Sequence, residues 1–190
     1  MAAVLRLEHI AQLTYTTLQT YMDERGIDLA VGPLSDEDSS ALCRAYGDLN
    51  WEYYLSTVGN DPDCFSLCIK FVKSKDNRVA ENSPSGASLS LYTDKSKTFD
   101  IHIIENFVRD SENHPLRRRM VLYTLYAAVI FMRQVDGEIV RIIEPVPEYR
   151  EYYSTFGFQP MDCDYVMSCS YEELLNNLEE RSKSLDSRYK

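Results

Sequence analysis

The segment FDIHIIENFVRDSENHPLRRRMVLYTLYAAVIFMRQVDGEIVRIIEPVPEYREYYSTFGF, residues 99–158, decides the fold. Its opening, residues 99–108, is an apolar run with β-branched residues and no helical period, which predicts a buried strand. A polar turn follows, and Pro115 suits the first turn of a helix, where its missing N–H costs nothing. Over residues 116–134 the apolar side chains Val121, Leu125, Ala128, Val129 and Met132 recur at helical spacing. Beyond Gly137, residues 138–143 read as a second buried strand, and residues 148–156 as a short helix stopped by Gly157. Strand, helix and strand of these lengths make a βαβ unit with a right-handed crossover, its strands adjacent and parallel. The two are expected to diverge beyond Val108, leaving a cleft between their C-terminal ends.

Working outward, residues 3–25 are expected to be helical, with Leu7, Ile10, Leu13, Leu18 and Tyr21 as a broken apolar stripe and Gly26 as the stop. Residues 28–33 are a connector or very short strand. Ser35-Asp-Glu-Asp38 places a capping serine and three acids at the start of a second helix, which carries Leu42, Cys43 and Tyr46. Trp51, Tyr53, Tyr54 and Leu55 form an aromatic cluster, read first as a lid over the core and second as a ligand cage. Residues 64–73 form a strand with Phe65, Leu67, Ile69 and Phe71 on one parity, and residues 74–86 an exposed polar loop. Residues 87–93 alternate leucine with serine, as in a half-buried strand turning antiparallel into residue 99. After Phe158, residues 159–163 and 165–169 suggest a closing hairpin. Ser170-Tyr-Glu-Glu173 is a capping box for a last helix whose charged end, from Glu179, is expected to fray. The reading is a single α/β (α+β) domain over 1–190: a helical part at 1–60, a mixed, mostly antiparallel sheet at 64–170 splayed at its centre with helices on both faces, and a C-terminal helix at 171–190.

The net charge of −10 disfavours a nucleic-acid binder, which needs a basic face to neutralise phosphates. It favours a cationic partner such as an amine, a polyamine or a basic protein, although solubility alone also accounts for it. Five cysteines at Cys43, Cys64, Cys68, Cys163 and Cys169 match neither a disulfide framework nor a zinc template, which fits a reduced, cytoplasmic setting. No apolar run has the length of a membrane span, the N-terminus does not read as a signal peptide, and His9 and His114 have no partners at ligand spacing, so neither membrane association nor a metal is expected. His102, alternating with Ile101 and Ile103, reads as a satisfied strand histidine.

The order of pieces, with Ile104-Glu-Asn-Phe-Val108, the arginine turn and its helix, Ile139-Val-Arg-Ile-Ile143 and Tyr152-Tyr-Ser-Thr-Phe-Gly-Phe158, resembles the acetyl-CoA half of the GNAT-superfamily N-acetyltransferases. Those enzymes typically carry a strand, then Arg-x-x-Gly-x-Gly/Ala opening a helix, a second strand, and Phe-Tyr-x-x-x-Gly-Phe. The resemblance is specific over residues 99–158 and weak over 64–94. It departs from the family pattern in having no strand before the first helices, Met120 and Leu122 in place of the two glycines, and Pro145-Val-Pro147 where an asparagine is common.

The resemblance implies transfer of an acetyl group from acetyl-CoA, a co-substrate, directly to a primary amine on a small molecule or basic protein. It implies that the central strands part after Phe107 and Val108, whose backbone meets the pantetheine arm. The pyrophosphate would sit on the loop Arg117-Arg118-Arg119-Met120-Val121-Leu122, at a helix N-terminus. Tyr153 falls where the family places its general acid, and Glu105 is the best-placed carboxylate for a general base. Three arginines offset the missing glycines by gripping phosphate, or form an ordinary solvated basic run. A GNAT-like protein without catalysis, acting as a binding or inhibitory module, therefore stays open, as does a homodimer.

Overall fold

The computed structural model describes residues 2–73 and 83–186. Its framework is one seven-stranded sheet in the order β1-β2-β3-β4-β5-β7-β6. The strands are β1 (Leu29–Pro33), β2 (Phe65–Lys73), β3 (Gly86–Thr93), β4 (Thr98–Asn106), β5 (Ile139–Ile143), β6 (Gln159–Pro160) and β7 (Val166–Ser170). Only β4 and β5 run parallel; every other neighbouring pair is antiparallel. The long helices α1 (Ala2–Glu24), α4 (Met120–Gln134) and α6 (Tyr171–Asp186) pack with one face of the sheet, α4 touching both α1 and α6. Across the sheet lie α2 (Asp36–Ala41), α3 (Trp51–Tyr53) and the π-type turns that extend them, Leu42–Tyr46 and Tyr54–Val58.

Each face has its own apolar cluster. The larger joins Leu18, Met22, Phe71, Phe99, Ile101, Phe131, Phe156 and Phe158; the smaller joins Leu42, Trp51, Ala87, Leu89, Leu91 and Ile103. Burying a side chain of this size is worth about 1.5–3 kcal/mol, so these clusters set the order of layers. Trp51 is fully enclosed and Tyr54 and Leu55 pack on the smaller cluster, whereas Tyr53 is exposed. A short α5 (Arg150–Ser154) follows a 3-10 turn at Pro147–Tyr149 and ends at Gly157, whose φ is +98°.

Several details differ from the sequence reading. In α1 the buried stripe is Ile10, Tyr15, Leu18 and Met22, whereas Leu13 faces solvent. Thr14, Thr16 and Thr20 each return their hydroxyl to the carbonyl four residues back, which reconciles a threonine-rich run with a helix. β3 is buried on both faces, Ser88 and Ser90 included, because it is a central strand between β2 and β4. α4 begins at Met120, not near Pro115: Arg118 has φ +58°, a left-handed conformation that a right-handed helix cannot pass through. α6 is helical through Asp186, and the rest of the end expected to fray, 187–190, lies outside the described residues; its cap is Ser170, whose Oγ accepts from the Glu173 N–H. Most of the polar loop at 74–86 lies outside the described residues.

α2 is held to the sheet by charge. Ser35 caps it and makes a reciprocal box with Asp38, whose carboxylate also takes Lys70 Nζ of β2 at 2.5 Å. Burial raises the Asp38 pKa, but bonds from Lys70 and Ser35 outweigh it and hold the carboxyl below its ordinary range. A depressed carboxyl pKa contributes stability that is full above the unfolded value near 4 and is lost as pH falls through the folded value. The Asp38→Asn variant is therefore expected to unfold about 1–3 kcal/mol more easily at pH 7, with a smaller deficit below pH 3. Urea titrations at the two pH values check this, and equal deficits at both would refute the charge-based account.

Candidate active site

β4 and β5 stay together only from Thr98–Ile139 to Ile101–Ile142. Within that stretch Asp100 and Arg141 are register partners and form a two-pronged ion pair, Nε–Oδ1 2.6 Å and Nη2–Oδ2 2.5 Å. Past it the strands part. β4 continues to Asn106 on its β3 partner alone, down to the Gly86–Asn106 pair. Beyond β5 the chain turns at Glu144 (φ +50°), whose N–H donates to the Tyr165 carbonyl at 2.7 Å on the far side. The gap thus opens after Ile101, earlier than the Val108 expected, because each strand end is bonded to its outer neighbour.

The free edge of β4 accordingly runs over residues 102–106. Phe107 and Val108 lie beyond the strand, and their N–H groups already donate, to the Ser85 carbonyl and to Asn106 Oδ1, both at 3.0 Å. The Phe107 ring meets Tyr46 edge-on and packs on the smaller cluster.

A β-bulge marks the point of parting. Leu89 pairs with Ile103 and Ser90 with Ile101, so His102 is the extra residue. The bulge inverts the alternation: Phe99 and Ile101 belong to the larger cluster, Ile103 to the smaller. Glu105 follows Ile103 onto that second face. There it is buried, Oε1 accepting from the Asp48 N–H at 2.5 Å and Oε2 from the Trp51 Nε1–H at 2.6 Å. A Cβ on Gly47 would overlap this carboxylate. Each oxygen of the carboxylate that the resemblance offers as a base thus accepts a bond from the α2–α3 segment.

His102 is half-buried, and no hydrogen bond among the described residues holds its ring, so it is not the satisfied strand histidine expected. Burial lowers its pKa below the ordinary histidine value, against the upward pull of Asp100 and Glu144, with Arg141 acting in the same direction as burial. Tyr54 reaches the same region, its hydroxyl 3.4 Å from Glu144 Oε2.

The arginine loop is folded on itself. Leu116 N–H donates to His114 Nδ1, Arg117 N–H to the His114 carbonyl and Arg119 N–H to the Leu116 carbonyl. The first intrahelical bond of α4 is Tyr123 N–H to the Arg119 carbonyl at 3.0 Å, so the N–H groups of Met120, Val121 and Leu122 precede it. The Met120 side chain is buried, directed with Leu116 at Gly86, and Val121 and Leu122 pack on the larger cluster. Arg118 and Arg119 are exposed beside this helix start, while Arg117 is half-buried with Nε in no hydrogen bond. Oriented N–H groups, a helix dipole and neighbouring guanidinium groups are the features that attract anions.

Tyr153 sits on α5, only 6% exposed, with Tyr149 and Tyr152 rings 6.5 and 6.4 Å away. Burial, reinforced by those neighbours, pushes its phenol up to about 12, so it stays protonated at neutral pH. The sequence reading missed Tyr54, Glu144 and the Asp100–Arg141 pair. Opposite charges at matching places in two otherwise apolar strands were the available signal for the last. Among the described residues no group of His, Cys, Asp and Glu gathers as a metal site, and no helix is long and apolar enough to cross a membrane.

No family sequence model matches the chain, and no curated protein matches it by sequence. Solved structures do match it in three dimensions. An uncharacterized protein from Bacillus halodurans aligns with TM-score 0.55 and 11% identity, over 80% of this chain and 89% of its own. AtaTR bound with acetyl-CoA aligns with TM-score 0.53 and 11% identity, over 77% and 96%. A GNAT-family acetyltransferase from Staphylococcus aureus Mu50 aligns with TM-score 0.50 and 9% identity, over 75% and 99%. The chain has the GNAT fold: a mixed α/β sheet whose single parallel pair opens at its centre.

Removing the Glu105 carboxylate leaves the buried Trp51 Nε1–H and the Asp48 N–H without their acceptor. Glu105→Ala is expected to cost about 1–3 kcal/mol in urea unfolding, and Gly47→Ala to cost a similar amount by displacing the same carboxylate. Trp51 is the chain's only tryptophan, so a red shift of its emission in both folded variants reports the loosened segment. Unchanged stability and emission would mean that Glu105 anchors nothing.

Proposed function

We propose that this chain is an acyl-CoA-dependent N-acetyltransferase that moves an acetyl group directly to a primary amine. The observation that carries the reading is the gap between β4 and β5, with a helix start flanked by arginines close in sequence to one strand and a buried, protonated tyrosine following the other. The fold's occurrence in AtaTR bound with acetyl-CoA supports it. The residues present fit that co-substrate. Met120 and Leu122 replace glycines, yet their side chains pack inward on the larger cluster. The N–H groups of Met120, Val121 and Leu122 with Arg117, Arg118 and Arg119 would hold the pyrophosphate, and the free edge of β4, with Phe107 and Val108 at its rim, would flank the pantetheine arm.

Bound acetyl-CoA supplies an activated thioester. As the C–N bond forms and the C–S bond breaks, sulfur leaves with the bonding pair and takes the proton of the Tyr153 hydroxyl. The amine nitrogen releases two protons, one to a base and one through solvent to the tyrosinate. The acidic chain, with net charge −10, suits a cationic acceptor, small or protein-borne. The arginine loop, lacking both glycines and with Arg118 left-handed, favours the competing reading of a GNAT fold that binds without turnover.

Calorimetry with acetyl-CoA decides between the two: measurable binding that weakens with added salt is expected, reduced on replacing Arg117, Arg118 and Arg119 together with alanine. No heat at millimolar acetyl-CoA would support the binding module. Tyr153→Phe is expected to bind acetyl-CoA as wild type does, keep its melting temperature, and lose roughly 10²–10⁴-fold in kcat. Because the phenol titrates only near 12, the wild-type rate should show no alkaline fall from this group up to about pH 10. A Tyr153→Phe variant with normal turnover would displace the acid assignment.

A further inference from the structure

Three features meet at the mouth of the gap that the reaction above does not use. His102 is the first residue of β4 past the last β4–β5 pair, set there by the bulge, and no hydrogen bond among the described residues fixes its ring. Glu144 is the first residue past β5, across the gap, held with φ +50°. Tyr54 comes from the turn after α3 and donates to Glu144 Oε2, with the exposed Tyr53 ring against its own at 5.4 Å. The nearby Asp100 has its charge taken by Arg141. No arginine or lysine bridges Glu144 among the described residues, so its negative charge is available to a ligand.

We infer that His102 is the proton acceptor for the incoming amine and that Glu144 and Tyr54 form the seat of its ammonium group. This rests on the acetyltransferase reading. The ammonium would sit between carboxylate and phenol, beside an aromatic face that attracts cations. One N–H proton passes to the unprotonated nitrogen of the His102 imidazole, and the nitrogen lone pair so released attacks the thioester carbon. The imidazolium then returns its proton to solvent. Both Glu105 oxygens are already engaged by the α2–α3 segment, through Trp51 and Asp48. Burial keeps the free imidazole neutral at pH 7. The charged and titratable groups around it are Asp100 and Glu144, which favour the imidazolium once formed, Arg141, which opposes it, and Tyr54 beyond Glu144.

Acetyl-CoA calorimetry comes first: wild type and His102→Gln should bind it equally, and no binding by wild type removes the acetyltransferase reading and this inference together. In the acetyl-CoA complex, spermidine should shift the ring resonances of His102 in NMR spectra of wild type. In Glu144→Gln the same shift should need about ten-fold more spermidine. A ring that does not respond to spermidine overturns the inference while leaving the acetyl-CoA site intact. With spermidine near pH 7, His102→Gln should lose roughly 10²–10⁴-fold in kcat, recovering as pH rises. Hydroxylamine, a weakly basic amine already neutral at that pH, should lose far less. Equal losses for the two amines, or none, overturn the base assignment.

Discussion

The parallel pairing of β4 with β5 stops after Ile101 and Ile142, and the rest of the molecule is arranged around that interruption. A strand edge left unpaired inside a sheet is costly, because its N–H and C=O groups need partners. Here the two edges are held open rather than merely unclosed. Gly86 pairs with Asn106 and Ser85 accepts from Phe107, pulling β4 toward β3, while Glu144 N–H is bonded to Tyr165 on the β7 side. The Asp100–Arg141 ion pair clamps the strands just before they part, fixing where the gap begins. It does so with bonds that are short, charge-assisted and directional.

The bulge at His102 couples this gap to the two faces of the sheet. Without it, Ile103 and Glu105 would continue the facing of Phe99 and Ile101 and point under α4. One extra residue sends them to the opposite face, where Ile103 joins Leu42, Trp51 and Leu89 and Glu105 meets Trp51 and Asp48. The bulge therefore does two things at once. It sets a histidine at the mouth of the gap, and it directs the carboxylate that ties down the helical lid on that side. A single backbone irregularity thus links the stability of the α2–α3 segment to the geometry of the site.

Much of the scaffold was legible in the chain, since strands β2, β4 and β5 and helices α1 and α4 announce themselves by apolar period and caps. Tyr153 could be placed on its short helix because Gly157 and Phe158 fix the register of α5. The bulge could not be read, because it depends on how β4 seats on β3, a non-local pairing that leaves no mark near His102. The early opening of the gap was hidden for the same reason: nothing local to Ile101 says that its neighbours are bonded outward. Glu105 was singled out as the best-placed carboxylate for a general base. Its partners come from Asp48 and Trp51, more than fifty residues away in sequence, so its anchoring contacts were invisible. The start of α4 was misplaced because an arginine in the left-handed region has no sequence signature, unlike a glycine there.

The missing glycines of the arginine loop have a structural counterpart. A glycine at a helix start lets backbone approach an anion closely, and a side chain in its place must go somewhere. Met120 goes inward, and it can do so because the residue beneath it is Gly86, where an added Cβ would overlap both the Met120 sulfur and a Leu116 methyl. The space that related loops gain at the helix start is gained in this chain on β3, one layer below. Gly86 is also the residue that pairs with Asn106 at the far end of β4. Asn106 in turn donates to the Leu116 carbonyl and accepts from Val108 N–H, so strand end, loop and helix start are bonded into one unit. Any side chain at position 86 would lift Met120 and Leu116 together. Position 86 is thus crowded by the Met120 and Leu116 side chains on one side and tied through Asn106 to the far end of β4 on the other.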